Sequence, residues 1–435
     1  MAQFNSGKVL KTVPNKNERS ASTVKIIKHL GGGGQGDVYM VEHNGEKKAL
    51  KWYRNLGSDP QAFYDNLVRN VEHGSPDKAF IWPEAVVGDK SEKSFGYLMA
   101  LRPDGYYDLS EFMLTNVRFK SFKAAVEACI KIVSAFRKLH LDGYSYQDLN
   151  DGNFFLNPET GDIMICDPDN IAPDGVHTGI IGKPRYMAPE IVCGNAMPSR
   201  RTDYFSMSII LFLILCLNHP LEGKKALVPC LTPPLAEKLY GSEALFICDP
   251  ADKSNAPVKN IHSNVIARWG YMPDYIKDAF IKAFGQEAIK NPNRRLNELD
   301  WLKVLVRFRS DIVQCSCGNE VFINNASTTK CDGCRKPMVI DHVFKLPDYS
   351  LTAKAGSRIY RCQLGICNAD VALKPVALVV SKKDNPSVLG VKNMSDQIWS
   401  AITTLNTTRK VQPGEVIPFK SGIIIDVYDS RIELK

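Results

Sequence analysis

The first hundred residues alternate short apolar runs with polar turns, and two longer segments further along the chain have helical periodicity. The runs at 24–30, 38–42 and 48–53 have the length and composition of β-strands. Apolar positions then recur with the helical period over 119–140 and 203–217. The pattern predicts a small β-rich lobe followed by a helical lobe.

The rest of the chain changes character twice. Residues 224–273 are rich in Pro, Lys and small residues, which is typical of a long excursion from the helical lobe. The helical pattern resumes at Asp274 and ends near Arg309, and beyond Cys334 short β-prone runs alternate with turn signals, as in a small sandwich or barrel. The expected units are an arm or edge strand over 1–22, a large domain over 23–309, a short unit over 310–340 and a β-rich domain over 341–435.

Composition and charge narrow the class of protein. Of the 435 residues, 44% are hydrophobic and 23% are charged, which is the usual balance of a globular protein. The net charge of +8 is spread along the chain without a block of consecutive basic residues, which disfavours nucleic acid as a partner. The longest apolar run, 209–217, is too short to cross a membrane, and the N-terminus lacks the apolar core of a signal peptide. We expect a cytoplasmic protein without a membrane partner.

A glycine-rich segment lies between the first two apolar runs. Gly31, Gly33, Gly36 and Val38 have the spacing GxGxxGxV. Such glycines let backbone N–H groups approach a phosphate closely, and the valine can cover a flat ring. A run of four glycines is also typical of a flexible loop, so the motif alone decides nothing. Fifteen residues after Gly36, Lys51 lies in the next strand-like run.

A second polar cluster supplies groups that suit phosphoryl transfer. Asp148 and Asn153 lie in the sequence DLNDGN, and Asp167 follows a short apolar run. Phosphoryl transfer needs one carboxylate that orients the attacking hydroxyl, and an amide and a second carboxylate that hold Mg²⁺. Both segments are also compatible with ordinary polar turns. The turn interpretation leaves the glycine segment and Lys51 unexplained, so we favour the chemical one.

A third group of residues follows in the same order. The segment GKPRYMAPE ends at Glu190, Asp203 lies at the start of an apolar helix, and Arg295 lies in NPNRR. With the glycine segment, its lysine and the DLNDGN cluster, these motifs make residues of about 24–308 resemble a protein-kinase domain. The resemblance implies a bilobal α+β fold, a pairing of Arg295 with Glu190, ATP and Mg²⁺ as cofactors, and transfer of the γ-phosphate to Ser or Thr of protein substrates.

The resemblance also implies the roles of the polar residues. Asp148 would orient the substrate hydroxyl, and Lys51 would bind the α- and β-phosphates of ATP. Asn153 and Asp167 would hold Mg²⁺.

Further roles follow for the adenine site and for the partner of the lysine. Met99 would be the gatekeeper, and backbone groups of Ala100 and Arg102 would bind adenine. The acidic partner of the lysine is expected at Asp65, with Glu72, two helical turns further on the same face, as the alternative.

Several positions depart from the kinase pattern. Gln147 stands where most kinases have the Arg that binds a phosphorylated activation loop, so we expect activity without loop phosphorylation. Asn150 replaces the Lys that supports the transferred phosphate, and Lys183, in place of a Thr, either restores that charge in the catalytic site or faces solvent. Asp169 replaces a Gly two residues after Asp167, and is either an extra metal ligand or a turn-stabilising residue.

Three short stretches resemble a narrower, bacterial subgroup of stand-alone kinases. They are Trp82 with the following proline, the LRPDGYY stretch at 101–107, and QDLNDGN. Members of that subgroup accompany a metal-dependent protein phosphatase and a von Willebrand A-type protein in tellurite-resistance-type phosphorylation systems. The resemblance implies these partners and a role in bacterial signalling.

Four of the twelve cysteines form two tight pairs. Cys315 and Cys317 are followed, after thirteen residues, by Cys331 and Cys334. Two such turns on a β-ribbon can present four thiolates in a tetrahedron, and because no ligand position stays open, we expect a structural zinc ribbon. The region 341–435 resembles the fork-head-associated β-sandwich in its strand pattern, but it lacks the residues with which such domains bind phosphothreonine.

Two other functions stay open. A pseudokinase scaffold, which binds nucleotide and partners without transfer, is favoured by Asn150 and Asp169, whereas the retained chemical groups favour an active enzyme. A small-molecule kinase of related fold is disfavoured by the APE segment together with Asp203 and Arg295.

Overall fold

The structure is a computed structural model that describes residues 4–54, 56, 59–89, 94–176, 182–324, 329–368 and 371–435. The α-helices are α1 (Pro60–His73), α2 (Leu109–Met113), α3 (Phe122–Leu141), α4 (Pro189–Val192), α5 (Arg200–Cys216), α6 (Pro233–Glu237), α7 (Ser263–Tyr271), α8 (Asp274–Phe284), α9 (Gln286–Lys290) and α10 (Glu298–Asp311).

The β-strands are β1 (Val9–Lys11), β2 (Thr23–Gly32), β3 (Gly36–His43), β4 (Glu46–Tyr53), β5 (Ala85–Asp89), β6 (Ser94–Met99), β7 (Tyr107–Asp108), β8 (Tyr144–Tyr146), β9 (Phe154–Leu156), β10 (Ile163–Ile165), β11 (Ile171–Pro173), β12 (Ile312–Gln314), β13 (Glu320–Phe322), β14 (Thr329–Lys330), β15 (Pro337–Met338), β16 (Val343–Lys345), β17 (Ser350–Thr352), β18 (Arg358–Tyr360), β19 (Pro375–Lys382), β20 (Asn385–Asn393), β21 (Trp399–Ile402), β22 (Thr408–Val411), β23 (Val416–Pro418), β24 (Ile424–Val427) and β25 (Ser430–Leu434).

The small lobe is an antiparallel sheet that packs against helix α1. Its strand order is β1-β2-β3-β4-β6-β5, with β1 from the N-terminal arm at one edge. The glycine segment is the turn between β2 and β3, where the Gly33 N–H donates to the carbonyl oxygen of Gly36 at 2.8 Å. A β-carbon on Gly36 would lie 2.1 Å from the carbonyl oxygen of Trp52, so this position requires glycine. Phe63 and Leu67 of α1 lie in the apolar cluster that joins the helix to the sheet.

The helical lobe is built around helix α5, whose residues from Phe205 to Cys216 are buried. Helices α3, α7 and α8 pack against it, and the fully buried Trp301 of α10 donates a hydrogen bond to the hydroxyl of Ser208 on α5 at 3.1 Å. On the side of the small lobe, β8 pairs with β11, and β9 lies between β7 and β10. The DLNDGN cluster joins β8 to β9, and Asp167 follows β10. Both polar segments are therefore attached to strands of these two short sheets. None of the described helices combines the length and the apolar character needed to span a membrane.

Beyond α10 the described chain is all-β, consistent with the prediction for the C-terminal region. Two small ribbons, β12-β13 and β14-β15, carry the four paired cysteines. The last domain has a six-stranded sheet, β17-β16-β25-β24-β21-β22, and a four-stranded sheet, β18-β19-β20-β23. Side chains from both sheets form one core around the fully buried Trp399. This domain contacts the helical lobe through Arg307 of α10, which lies 3.7 Å from the ring centroid of Tyr275 and 4.4 Å from that of Tyr349.

The first ribbon also contacts the helical lobe through a charged side chain. The carboxylate of Glu320 on β13 accepts hydrogen bonds from the backbone N–H of Phe122 at 2.5 Å and of Lys123 at 3.1 Å. These are the first two residues of α3, whose N–H groups have no partner within the helix. An anion at this position satisfies the free donors and interacts favourably with the helix dipole.

Replacing Glu320 by Ala should therefore lower the stability of the helical lobe by about 1 kcal/mol, as loss of a helix cap usually does. Thermal unfolding of the purified chain measures the effect. Glu159→Ala is the matched control, because Glu159 pairs with Lys120 on the surface and both side chains are mostly exposed. Equal midpoints for the two variants would show that the ribbon does not stabilise α3.

Candidate active site

The loop between β8 and β9 holds Asp148 in a fixed orientation. The side-chain N–H group of Asn150 donates to Asp148 Oδ1 at 3.1 Å, and Lys183 Nζ donates to Asn150 Oδ1 at 3.2 Å. Burial raises the pKa of Asp148, while the hydrogen bond from Asn150 and the charge of Lys183 oppose that rise. Of the two alternatives for Lys183, the contact with Asn150 favours a role in this loop, although its side chain is exposed.

Asn153 and Asp167 present oxygen atoms next to this loop. The Asn153 amide donates to the hydroxyl of Tyr146 at 2.7 Å and to the backbone oxygen of Asp148 at 3.0 Å, so its oxygen is the atom left for a cation. The Asp167 carboxylate is 37% exposed. Its backbone has the left-handed conformation, with φ 55° and ψ 51°. Carboxylate and amide oxygens are the ligands that Mg²⁺ prefers, so this donor set fits a magnesium ion.

Lys51 of β4 joins the small lobe to this segment. Its side chain is only 7% exposed, and its Nζ lies 2.9 Å from Asp169 Oδ2 and 3.0 Å from Asp167 Oδ1. It also donates to the side-chain oxygen of Gln35 at 3.2 Å, which brings the hairpin of Gly31, Gly33 and Gly36 over the lysine. Burial alone would lower the pKa of Lys51, but the two carboxylates raise it above its usual range, so the ammonium group is retained.

The predicted pairing of Lys51 with Asp65 is wrong. Asp65 lies on the exposed side of α1, where Gln61 donates to its carboxylate at 2.5 Å. The alternative, Glu72, pairs with Lys16 at 3.3 Å. The spacing along α1 was compatible with a contact, but the helix turns a different face, with buried Asn66 and Asn70, toward Asp169 and its neighbours.

The predicted adenine-site residues lie on β3, on β6 and in the segment that follows β6. Val38 and Met99 belong to the same apolar cluster, and Met99 of β6 lies opposite Ala49 of β4. Ala100 and Arg102 follow in the segment between β6 and β7, and the Arg102 guanidinium lies 4.3 Å from the ring centroid of Phe155. Their role in binding adenine stays a prediction.

A buried hydrogen-bond network, which the sequence analysis did not predict, holds the backbone just before the loop of Asp148 and Asn153. Asp203 accepts from the backbone N–H of Tyr146 at 2.7 Å and from His140 Nε2 at 3.0 Å, while the other ring nitrogen of His140 contacts Glu298. Burial alone would lower the pKa of His140, but the hydrogen bonds and charges of the two carboxylates raise it to about 9. Only the fold brings these residues together, since they are 63 and 158 positions from the histidine.

The predicted pair at the end of the GKPRYMAPE segment is present. Arg295 donates to both oxygens of Glu190, at 2.8 and 2.7 Å.

Gln147 contacts the start of the activation segment. Its side-chain amide donates to the backbone oxygen of Val176. Residues 177–181 lie outside the described residues, and they include Thr178, whose phosphorylation we expect activity not to require.

Comparison with known protein families is consistent with the geometry of the candidate site. Residues 83–231 match the protein kinase domain family. This segment is therefore similar to protein kinase domains. The match includes Asp148, Asn153, Asp167, Glu190 and Asp203, but begins after the glycine hairpin and the lysine of β4. Assignment of those upstream residues therefore rests on their geometry.

Similar proteins are serine/threonine kinases of eukaryotes. A probable serine/threonine-protein kinase, MARK-C, of Dictyostelium discoideum is 26% identical over 51% of this chain and 29% of its own length. The maternal embryonic leucine zipper kinase of Xenopus laevis is 24% identical over 46% of this chain and 31% of its own length. The chain thus spans less than a third of the length of these relatives. The family match and these names support a protein serine/threonine kinase.

The raised pKa of His140 predicts how stability changes with pH. Because the folded-state pKa of about 9 lies above the value of about 6.5 in an unfolded chain, the protonated histidine stabilises the fold fully below pH 6.5. This contribution is lost as the pH rises through 9. Thermal midpoints of the wild type should fall over this range, whereas His140→Gln should start lower and fall less. Parallel pH curves for the two proteins would contradict the assignment.

Proposed function

We propose that the chain transfers the γ-phosphate of ATP, with Mg²⁺, to Ser or Thr side chains of proteins. The observation that carries the proposal is the ion pair between buried Lys51 and Asp167, beside the loop of Asp148 and Asn153. This arrangement combines a cation for phosphates, oxygen ligands for a metal and a carboxylate for the attacking hydroxyl. The family match and the named relatives support the same reaction class.

Each polar residue has a distinct task in this reaction. Bound Mg²⁺·ATP would supply the phosphoryl group and the metal charge that offsets its oxygens. Asn153 and Asp167 would hold the metal through their oxygens. Asp148 would orient the substrate hydroxyl and accept its proton as the oxygen bonds to the γ-phosphorus and ADP leaves, and the burial that raises the pKa of Asp148 favours uptake of that proton. Lys51 would bind the phosphate oxygens with the ammonium group that its carboxylate partners retain.

The biological setting forms a further part of the proposal. The stretches around Trp82, at 101–107 and at QDLNDGN support bacterial signalling with a metal-dependent phosphatase and a von Willebrand A-type protein as partners. Cytoplasmic localisation stays a prediction from the sequence.

We also propose that the ribbons bind one structural zinc ion. The Sγ atoms of Cys315 and Cys334 are 3.6 Å apart, those of Cys317 and Cys331 are 3.5 Å apart, and all four lie within 4.8 Å of one another. A tetrahedron with Zn–S bonds of about 2.3 Å has edges of about 3.8 Å, so the thiols fit such a site closely.

A pseudokinase scaffold is the second candidate. It is favoured by the fact that Lys51 already has two carboxylates and Gln35 as partners, which compete with a nucleotide for its ammonium group. Under this alternative the chain would bind nucleotide or partner proteins without phosphoryl transfer.

The enzyme and the scaffold differ in the effect of removing Asp148. Asp148→Ala should lower transfer to a protein Ser or Thr by at least about 100-fold while nucleotide affinity changes little, because this carboxylate acts on the hydroxyl. Asp167→Asn should weaken Mg²⁺-dependent nucleotide binding as well, because the metal joins protein and phosphates. Radiolabel transfer and nucleotide titration measure the two effects.

Asp142→Ala is the control for these variants, because Asp142 is exposed at the end of α3. Equal transfer by wild type and Asp148→Ala would contradict the mechanism. Nucleotide binding without transfer to the chain itself or to candidate substrates would favour the scaffold.

The metal proposal has its own test. Purified chain should contain about one equivalent of zinc, and Cys331→Ser should lose it, because three thiolates no longer close the tetrahedron. Cys230→Ser is the control, since Cys230 is an exposed cysteine away from the ribbons. Elemental analysis measures the metal, and full retention of zinc by Cys331→Ser would exclude this ligand set.

A further inference from the structure

Asp169 has an unusual environment for a carboxylate two residues from a metal ligand. Its side chain is fully buried, and three donors surround it. Lys51 Nζ and the Tyr53 hydroxyl approach Oδ2 at 2.9 and 2.7 Å, and the Tyr97 hydroxyl approaches Oδ1 at 3.2 Å. A buried carboxylate is stable only when it is paired and hydrogen-bonded, and both oxygens meet that condition here.

This geometry excludes both roles considered for Asp169 from the sequence. A further metal ligand needs an accessible oxygen, whereas Asp169 has no exposed side-chain surface and both of its oxygens already accept hydrogen bonds. A turn-stabilising aspartate bonds to nearby backbone N–H groups, whereas the partners of Asp169 are side chains of β4 and β6. Asp169 therefore connects the segment after β10 to strands β4 and β6 of the small lobe.

Helix α1 contacts the segment around Asp169 through the side-chain amides of two asparagines and not through a charged group. The side-chain N–H groups of Asn66 and Asn70 donate to the backbone oxygen of Ile171 at 2.8 and 2.9 Å, and Asn70 also donates to that of Pro168 at 3.2 Å. Both asparagines are buried, and they lie one helical turn apart on one face of α1. The helix is thus fastened to the backbone on either side of Asp169 and forms no ion pair with Lys51.

We propose that Asp169 is the positioning residue of Lys51 and takes the role that an acidic residue on helix α1 was expected to have. The inference rests on the proposed function, and it adds a statement about regulation. Because the ion pair joins β4 to the metal-binding segment directly, a displacement of α1 breaks amide–carbonyl bonds but leaves Lys51 in place. When Asp167 turns to a metal ion, Asp169 still holds the ammonium group toward the phosphates.

Steady-state kinetics test the positioning role. Asp169→Asn keeps the shape of the side chain but removes its charge, and should lower kcat by about 100-fold while the KM for ATP changes less than about threefold, since the loss falls on the orientation of Lys51 in the transition state. Tyr53→Phe, which removes one hydrogen bond and keeps the charge, should lower kcat by about threefold to tenfold. The matched control, Asp65→Asn, should stay within twofold of wild type, because its carboxylate lies on the exposed side of α1.

A spectroscopic readout separates this inference from the proposed activity. In chain labelled with ¹⁵Nζ-lysine, a buried and ion-paired ammonium exchanges its protons slowly and gives a resolved N–H signal. The signal assigned to Lys51 by its loss in Lys51→Met should persist in Asp65→Asn and disappear in Asp169→Asn, with or without activity. If wild type shows no transfer but this pattern holds, the proposed function fails and the positioning role stands. Wild-type kcat or an unchanged Lys51 signal in Asp169→Asn overturns the positioning role, as does loss of the signal in Asp65→Asn.

Discussion

The candidate active site depends on how one buried ammonium group is paired. Breaking a buried ion pair by removing one partner costs about 3–5 kcal/mol, far more than loss of an exposed pair, so Lys51 needs its carboxylates wherever it lies. Asp167 and Asp169 meet this need from the segment after β10. Their contact with Lys51 of β4 joins the small lobe to the segment that follows β10. The same ammonium group donates to Gln35 of the glycine hairpin, and the Asp167 carboxylate stays partly exposed.

The rest of the site supports this pair from the side of the helical lobe. The buried His140, with Asp203 and Glu298, fixes the backbone at Tyr146, and the hydroxyl of Tyr146 in turn accepts from the amide of Asn153. The accessory units add to that rigidity, since Glu320 of the first ribbon occupies the start of α3. The last turn of α3 contains His140. A change in the first ribbon would therefore act on the same helix that carries the histidine.

Local motifs made much of this predictable from the sequence, and tertiary packing explains what was missed. Spacing along the chain singled out Asp148, Asn153 and Asp167 as candidates, and the resemblance to protein kinases predicted the pairing of Arg295 with Glu190. Neither identified the partner of Lys51. That choice depends on the rotation of α1, which turns Asp65 outward, and on the left-handed backbone of Asp167, which returns the chain so that Asp169 faces the lysine. Two carboxylates at i and i+2 were the available signal.

A crystal structure with Mg²⁺ and a non-hydrolysable ATP analogue tests the account most directly. We expect Lys51 Nζ to contact the phosphates and Asp169 within hydrogen-bonding distance, about 3 Å, with Asp167 and Asn153 on the metal and Asp65 still at the surface. A metal ion bound to Asp169, or a Lys51 that has left Asp169 for an acidic residue of helix α1, would contradict it.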